Sequence, residues 1–287
     1  MSVKRYSVYV KPLLVVAFLN CLLLLPAQCF AQTAAMGRQE GADNEYQVGS
    51  ILWTQTSAEY RALAYQTFSL AKLRLDQDLA GRTRVRSAKP PAVIVDVDET
   101  VLDNSRYQAE LVLRRAAYSA ESWRAWCDRA EAGAVPGAVD FLNYAFRRGV
   151  HVFYITNRHQ PEKAGTVENL KKLGFPGVSE ETVIIREQGA SASKESRRQK
   201  IASRYRIALL VGDNLNDFSD DFAGKSVVDR KAQVDRERAE FGSRFIVIPN
   251  PMYGDWENAI NDNRSNLTEA ERQANRRAAM RGISIQP

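Results

Sequence analysis

Cysteine and histidine are the scarce residues of this 287-residue chain, three of the one and two of the other. Cys21 and Cys29 fall in an N-terminal segment that reads as cleavable, which leaves Cys127 alone and excludes an intrachain disulfide. A lone cysteine beside Trp126 in a helical stretch is expected as a buried small apolar side chain. His151 and His159 stand in no motif, and His151 lies inside a strand-like run where a structural role is expected. Long apolar runs are also few. Pro12 to Leu25 spans fourteen residues and contains Asn20, too short to cross a bilayer. Neither sign of charge dominates: 40 basic residues stand against 34 acidic ones. Lys4, Arg5 and Lys11 belong to the N-terminal segment, so the remainder carries 37 against 34, a net +3, too mild for a nucleic-acid groove. With 45% hydrophobic and 26% charged residues, the composition supports neither disorder nor a fibrous class. No internal repeat or low-complexity tract is visible.

Lys4, Arg5 and Lys11, the apolar run and Cys29-Phe30-Ala31 together make a signal-peptide pattern over residues 1–31, with cleavage expected after Ala31. Residues 32–45 read as a flexible leader. Thr56-Ser57-Ala58-Glu59 has the form of a capping box, and Tyr60, Leu63, Ala64, Ala71 and Leu75 recur at helical spacing. This predicts a long helix to about Leu79 within an N-terminal segment, 46–91, that packs with a cap. A basic, Pro-ended linker from Gly81 to Pro91 follows. An α/β core is expected over 92–260, interrupted at 105–135 by a strand-free insertion rich in Ala, Arg and Trp. Two helices are expected in the second half of the core: one after Gly137 with Ala138, Val139, Leu142, Ala145 and Phe146 inward, and one from Pro161 to Leu173. Strands near 182–185, 207–211 and 245–248 alternate with helices, which argues a doubly wound parallel sheet covered on both faces. Thr268-Glu269-Ala270-Glu271 caps a last basic helix within 261–287.

The chemistry gathers at strand ends. Ala92-Val93-Ile94-Val95 is a short buried strand that runs into Asp96-Val97-Asp98-Glu99-Thr100. Residues two apart on an extended chain point the same way, so Asp96 and Asp98 crowd negative charge together. That is unfavourable unless a cation sits between them or one carries a proton. A second run, Val150 to Ile155, ends in Thr156-Asn157-Arg158, and a third, Ile207 to Val211, ends in Gly212-Asp213-Asn214-Leu215-Asn216-Asp217. Lys194 lies between the last two, at the start of a predicted helix. In open α/β sheets such strand ends are where ligands bind.

This ordered set resembles the haloacid dehalogenase superfamily: Asp-x-Asp-x-Thr, then Thr, then Lys, then Gly-Asp-x-x-x-Asp. With Val135-Pro136-Gly137-Ala138, Tyr154-Ile155-Thr156-Asn157-Arg158 and Pro249-Asn250-Pro251-Met252-Tyr253-Gly254-Asp255-Trp256-Glu257, the chain is similar to the bacterial class C acid phosphatases over roughly residues 45–275. Those are secreted 5′-nucleotidases, often outer-membrane lipoproteins. The resemblance implies a smaller helical cap on the core. It also implies a sheet order of fifth, fourth, first, second, third strand, with Asp96 and Asp213 on adjacent strands.

The resemblance further implies a role for each residue. Asp96 would be the nucleophile that forms an aspartyl-phosphate, and Asp98 the general acid and then the base. Thr156, the Asn157 backbone amide and Lys194 would hold the phosphate, with Lys200 as the fallback lysine. The carboxylates of Asp96 and Asp213 and the Asp98 backbone carbonyl form an oxygen-only set suited to Mg²⁺ rather than zinc. Asp217 would hold a metal-bound water or orient Lys194, or would simply cap a helix. Arg158 would meet either phosphate or Glu162, and His159 has no assigned role. Trp123 and Tyr253 fall where the family's nucleobase-stacking aromatics lie.

The expected activity is therefore Mg²⁺-dependent hydrolysis of a nucleoside 5′-monophosphate or another small phosphomonoester, with no nucleic-acid polymer as partner and a homodimer suggested by the family. The alternatives are a broad-specificity phosphomonoesterase and a non-catalytic surface-binding protein on the same fold. Gln28 before Cys29 and Asn20 before Cys21 are poor matches to the small residues that precede a lipid-anchored cysteine. A soluble periplasmic location is thus expected, with outer-membrane association as the alternative.

Overall fold

In the computed structural model, residues 44–81 and 89–281 are described. The expected signal peptide, most of the expected leader and most of the 81–91 linker lie outside the described residues. A 3₁₀ turn, Glu45–Gln47, leads into α1 (Val48–Thr56) and then α2 (Ala58–Gly81). The cap on α2 is shifted one residue from the expected box: the Ser57 hydroxyl, not Thr56, accepts the Tyr60 amide at 3.0 Å. The buried face of α2 is Tyr60, Ala64, Phe68, Ala71 and Leu75, whereas Leu63 is exposed. Steps of three and four keep these five side chains on one stripe, and Leu63 falls beside it.

β1 (Pro91–Val95) begins the core. β2 (Leu102–Asp103), α3 (Ser105–Arg114), α4 (Ala120–Arg129) and β3 (Gly133–Ala134) follow, then α5 (Ala138–Arg147), β4 (His151–Ile155), α6 (Lys163–Lys172) and β5 (Val183–Ile184). α7 (Glu195–Ala202), β6 (Arg206–Gly212), α8 (Val227–Arg236), β7 (Phe245–Val247), α9 (Asp255–Ile260) and α10 (Glu269–Ala279) complete the chain. The insertion read as purely helical is instead tied at its base by antiparallel β2 and β3, which pair Leu102 with Ala134 and Asp103 with Gly133. A two-residue strand leaves no readable alternation, which is why only the helices were legible. On α5, Phe141 is buried and Phe146 is half exposed, the reverse of the expected Phe146-inward face. Positions 138, 141, 142 and 145 share one helical stripe, and 146 lies at its flank.

The main sheet has the order β5-β4-β1-β6-β7, all pairings parallel, as the resemblance implied. Every residue of the central strand β1 is buried. Alternation sorts the strands onto two cores. Val93, Val95, Val152, Tyr154, Leu209 and Val211 face a cluster with α2, α5 and α6. Ala92, Ile94, Phe153, Ile155 and Leu210 face one with Ile201, Phe218 and Phe245. The register sets Val95 beside both Tyr154 and Val211, so β1, β4 and β6 finish at one level and their following residues meet above the sheet.

The cap is fastened to the core where α4 crosses α6. Asn169 on α6 clips the chain after α4, accepting the Ala132 amide at 3.0 Å and donating to the Ala132 carbonyl at 2.9 Å. Gly165, one turn earlier, is buried, and a methyl group there would overlap the Cys127 carbonyl. Backbone cannot yield as a side-chain tip can, so Gly165→Ala should destabilise by about 1–3 kcal/mol or more. For a domain of this size that corresponds to a loss of about 2–4 °C in melting temperature per kcal/mol, readable by circular dichroism.

Candidate active site

Above β1 the chain turns sharply. The Val101 and Leu102 amides both return to the Val97 carbonyl, at 3.0 and 2.9 Å, and Glu99 adopts a left-handed conformation with φ 58°. Such a conformation is uncommon for a residue with a Cβ and persists only where surroundings hold it. Here the Glu99 carboxylate is buried and accepts from the Asn104 amide at 2.8 Å and from the Tyr253 hydroxyl. Burial first, then the charges of Asp98 and Asp213, push its pKa well above the usual carboxylate range.

Asp96 follows β1 directly, its amide donating to the Val211 carbonyl at 2.9 Å. The Lys194 ammonium, at the N-terminus of α7, bridges Asp96 Oδ1 and Asp217 Oδ1, the latter at 2.6 Å. All three side chains are buried. Thr100 Oγ1 lies 3.2 Å from Asp96 Oδ2 and 3.1 Å from Asp213 Oδ1, and Asn250 donates to Asp213 Oδ2 at 2.8 Å. Asp217 Oδ1 receives Lys194, while Oδ2 receives the Asn214 amide at 3.0 Å and closes the turn after β6, where the N-terminal cap is Asn214 and not Asp217. Gly212 is required by this turn, since a Cβ there would strike the Asp217 carboxylate.

Carboxylate oxygens of Asp96, Asp213 and Asp217 all lie within 4.8 Å of one another, an arrangement that could hold a metal ion. Lys194 is the cation bonded to two of them. Burial, only partly offset by Lys194 and reinforced by Asp217 and Asp98, pushes the Asp96 pKa up to about 7. Burial, then Asp96 and Asp217, pushes Asp213 well above the usual range. Lys194 would be lowered by burial, but Asp217 and Asp96 outweigh that and hold it above its ordinary value. The centre is thus short of positive charge, and its donors are oxygens, which suits a hard divalent cation.

Asp98 stands apart from that cluster, in a network of its own. Arg158 Nη2 donates to Asp98 Oδ1 at 2.7 Å, Asn104 Nδ2 donates to the same oxygen at 2.9 Å, and the Thr156 hydroxyl donates to Oδ2 at 3.1 Å. Arg158 was expected to meet phosphate or Glu162; the structure pairs it instead with Asp98, and Glu162 accepts the His159 amide. Burial would lower Arg158, but Asp98 overrides it and raises its pKa. Asn104 also accepts Trp126 Nε1 at 2.9 Å, which links a cap helix to Asp98.

Asp96, Asp98, Lys194, Asp213, Trp123 and Tyr253 all line one open cavity of about 940 Å³. The Trp123 ring meets Tyr107 edge-on at 5.0 Å and lies under the Arg158 guanidinium, 5.1 Å from its centre. Asn157 also borders the cavity, whereas Lys200 and His151 are exposed and border none of it. Cys127 is buried, as expected, and burial pushes its thiol up to about 12. Sequence reasoning missed Asn104, Glu99 and Asn250, although Glu99 and Asn250 sit inside the quoted motifs and Asn104 lies four residues past Thr100. It also missed Arg197, for which a position three residues after Lys194, facing the same way on a helix, was the available signal.

A buried acidic centre and one lysine at the carboxyl ends of a doubly wound parallel sheet, under a helical cap, define the class. The family follows from comparison: residues 24–256 match the model of the HAD superfamily, subfamily IIIB (acid phosphatase), and the chain belongs to that family. The structure of the class C acid phosphatase from Bacillus anthracis is 39% identical, with a TM-score of 0.79 over 84% of this chain and 99% of that one. A second structure of that Bacillus enzyme, with tungstate bound, has a TM-score of 0.78 at 38% identity and the same coverage. Among curated proteins, "Stem 31 kDa glycoprotein" of Glycine max is 24% identical over 164 residues, and "Acid phosphatase 1" of Solanum lycopersicum 26% over 166. The chain spans 58% and 57% of those two plant proteins, and each alignment covers 56% of this chain.

The raised carboxylates make a prediction about stability in metal-free protein. A group whose folded pKa lies above its unfolded value adds stability that is fully present below the unfolded pKa and is lost as pH rises through the folded one. For Asp96 that window runs from about 4 to about 7, and Asp213 acts in the same direction. After exhaustive chelation, this contribution should fall between pH 5 and 7.5, and Asp96→Asn should flatten the melting-temperature profile. A divalent cation needs the ionised carboxylates, so the rise in melting temperature on adding Mg²⁺ should be larger at pH 7.5 than at pH 5.

Proposed function

We propose that this chain is an exported acid phosphatase that hydrolyses small phosphomonoesters, nucleoside 5′-monophosphates above all, through an aspartyl-phosphate on Asp96. The observation that carries this reading is the division of labour between two carboxylates on neighbouring positions. Asp96 is held by Lys194 within the acidic cluster, and Asp98 is held separately by Arg158 and Asn104. That separation is what a nucleophile and a proton carrier need. The tungstate-bound Bacillus relative, a complex with a tetrahedral oxyanion, supports the same reading. Export is supported by the signal-peptide pattern of residues 1–31, and its poor lipid-anchor match favours a soluble periplasmic location.

Asp96, Asp213 and the Asp98 backbone carbonyl would hold Mg²⁺, which when bound offsets the charge of an anion attacking an anion. Lys194 keeps Asp96 Oδ1 in place, and the Thr100 hydroxyl approaches Oδ2. An Asp96 oxygen attacks phosphorus, the bond to the leaving oxygen breaks, and that oxygen takes a proton from Asp98. Water then attacks phosphorus, its proton passes to Asp98, and Asp96 departs as a carboxylate. Both oxygens of Asp98 accept hydrogen bonds in the structure, the arrangement of the form that takes a proton from water. The first half-reaction requires one of those contacts to be exchanged for the leaving oxygen. Thr156 is suited to that exchange, because its hydroxyl can turn from Asp98 to a phosphate oxygen.

Asp96→Asn should abolish turnover, whereas Asp98→Asn should accumulate or greatly slow the phospho-enzyme. General acid–base assistance is worth about 10²–10⁴-fold, and loss of the nucleophile should cost more. Steady-state rates with acid-quench trapping of labelled phosphate check both, and an Asp96→Asn variant with a tenth of wild-type rate would exclude the mechanism.

For nucleotide preference, Trp123 and Tyr253 border the same cavity as Asp96, which supports a role in base recognition. Stacking contributes about 1–3 kcal/mol per base, roughly 5- to 150-fold. Trp123→Ala and Tyr253→Ala should lower kcat/KM for a 5′-nucleotide within that range while leaving p-nitrophenyl phosphate within about threefold. Equal losses on both substrates would leave a broad-specificity phosphomonoesterase.

A further inference from the structure

Arg197 is unused by the mechanism above, yet it makes three polar contacts at the phosphate end of the cavity. Its Nη1 donates to the Thr156 carbonyl at 2.6 Å, and Nη2 donates to Asn157 Oδ1 at 2.6 Å and to the Ser193 carbonyl at 2.9 Å. The first two acceptors lie at the end of β4; the third immediately precedes Lys194. One guanidinium therefore joins the two elements that carry the phosphate-binding groups.

The peptide between Thr156 and Asn157 decides what this joint does. A trans peptide is planar, with its carbonyl and amide pointing in opposite directions. The structure has no cis peptides among the described residues. With the Thr156 carbonyl fixed on Arg197, the Asn157 amide is turned away from Arg197. That amide has no acceptor among the described residues, and Asn157 borders the cavity. We infer that Arg197 is a positioning residue: its forked guanidinium locks the Thr156–Asn157 peptide so that the Asn157 amide presents to a phosphate oxygen, in fixed relation to Lys194. This rests on the phosphatase reading of the site. A lysine would keep the charge but lacks the planar fork that can reach acceptors on both elements at once.

The test uses wild type, Arg197→Ala and Arg197→Lys in the full exported chain. It measures kcat/KM for p-nitrophenyl phosphate and a nucleoside 5′-monophosphate, the inhibition constant of orthophosphate, and melting temperature. Hydrogen bonds made by a charged group set the scale, about 10- to 100-fold. Arg197→Ala should lose that factor equally on both substrates, and orthophosphate should bind correspondingly more weakly. Arg197→Lys should resemble Arg197→Ala more than wild type. Guanidinium chloride at non-denaturing concentration should recover part of the Arg197→Ala rate, which a folding defect would not allow. The inference is overturned if orthophosphate inhibits Arg197→Ala within twofold of wild type, if Arg197→Lys matches wild type, or if guanidinium restores nothing. A wild-type protein that neither hydrolyses these esters nor binds orthophosphate in calorimetry would remove the phosphatase reading and the inference with it. An active wild type with an unaffected Arg197→Ala removes the inference alone.

Discussion

Asp96 and Asp217 hold Lys194 in a buried space with the half-buried Asp213 beside them, and the arrangement could not persist without the sheet beneath it. Their oxygens lie within 4.8 Å of one another. Like charges at that distance in a poorly solvated setting repel strongly, and one lysine offsets only part of the repulsion. The cost is met by the parallel sheet, whose central strand is buried along its whole length and fixes Asp96 beside the end of β6. Fine adjustments follow from the same constraint. Gly212 leaves room for the Asp217 carboxylate, and Asn250 and Thr100 donate to oxygens that Lys194 does not reach. The stability of the fold is thereby turned into unbalanced negative charge at one point, which is the property a cation-assisted phosphoryl site needs.

Much of this was legible because it is local. Strand-end motifs are read within a few residues: Asp96 and Asp98 share a side by alternation, and Gly212-Asp213 closes an apolar run, while the order of strands came from the family resemblance those motifs carry. What escaped the sequence depends on pairs far apart in the chain. Arg158 was expected to meet phosphate or Glu162, four positions on, and pairs instead with Asp98, sixty positions away. Glu99 was given no role, yet it is buried and bound to Tyr253 across 154 positions. Helix faces erred by one position at Leu63 and Phe146, since the edge of an apolar stripe is set by the partner surface and not by periodicity alone.

The network around Asp98 extends the same logic into the cap. Trp126 on α4 donates to Asn104, Asn104 donates to Asp98, and Arg158 joins Asp98 to the Thr166 hydroxyl on α6. α4 is itself held to α6 through Asn169 and the close approach at Gly165. Asp98, the proposed proton carrier, is thus positioned by the seam between cap and core, while Asp96, the proposed nucleophile, is positioned by the sheet. A shift of the cap would disturb Asp98 more than Asp96, and so would slow proton transfer before it affected nucleophilic attack.

Recognition and chemistry are linked by a second bridge. Tyr253, from the segment after β7, is bonded through its hydroxyl to Glu99, which adjoins Asp98 and also receives the Asn104 amide. Trp123, which lines the same cavity, lies beneath the guanidinium that pairs with Asp98. Trp123 and Tyr253 therefore each have a polar partner in contact with the Asp98 turn. On the proposed reading, a group that stacked on either ring would press on the same network that holds Asp98. Binding energy from a part of the substrate remote from phosphorus can then be expressed in the chemical step rather than in affinity alone. A preference for nucleotides arising in this way would show in kcat as well as in KM.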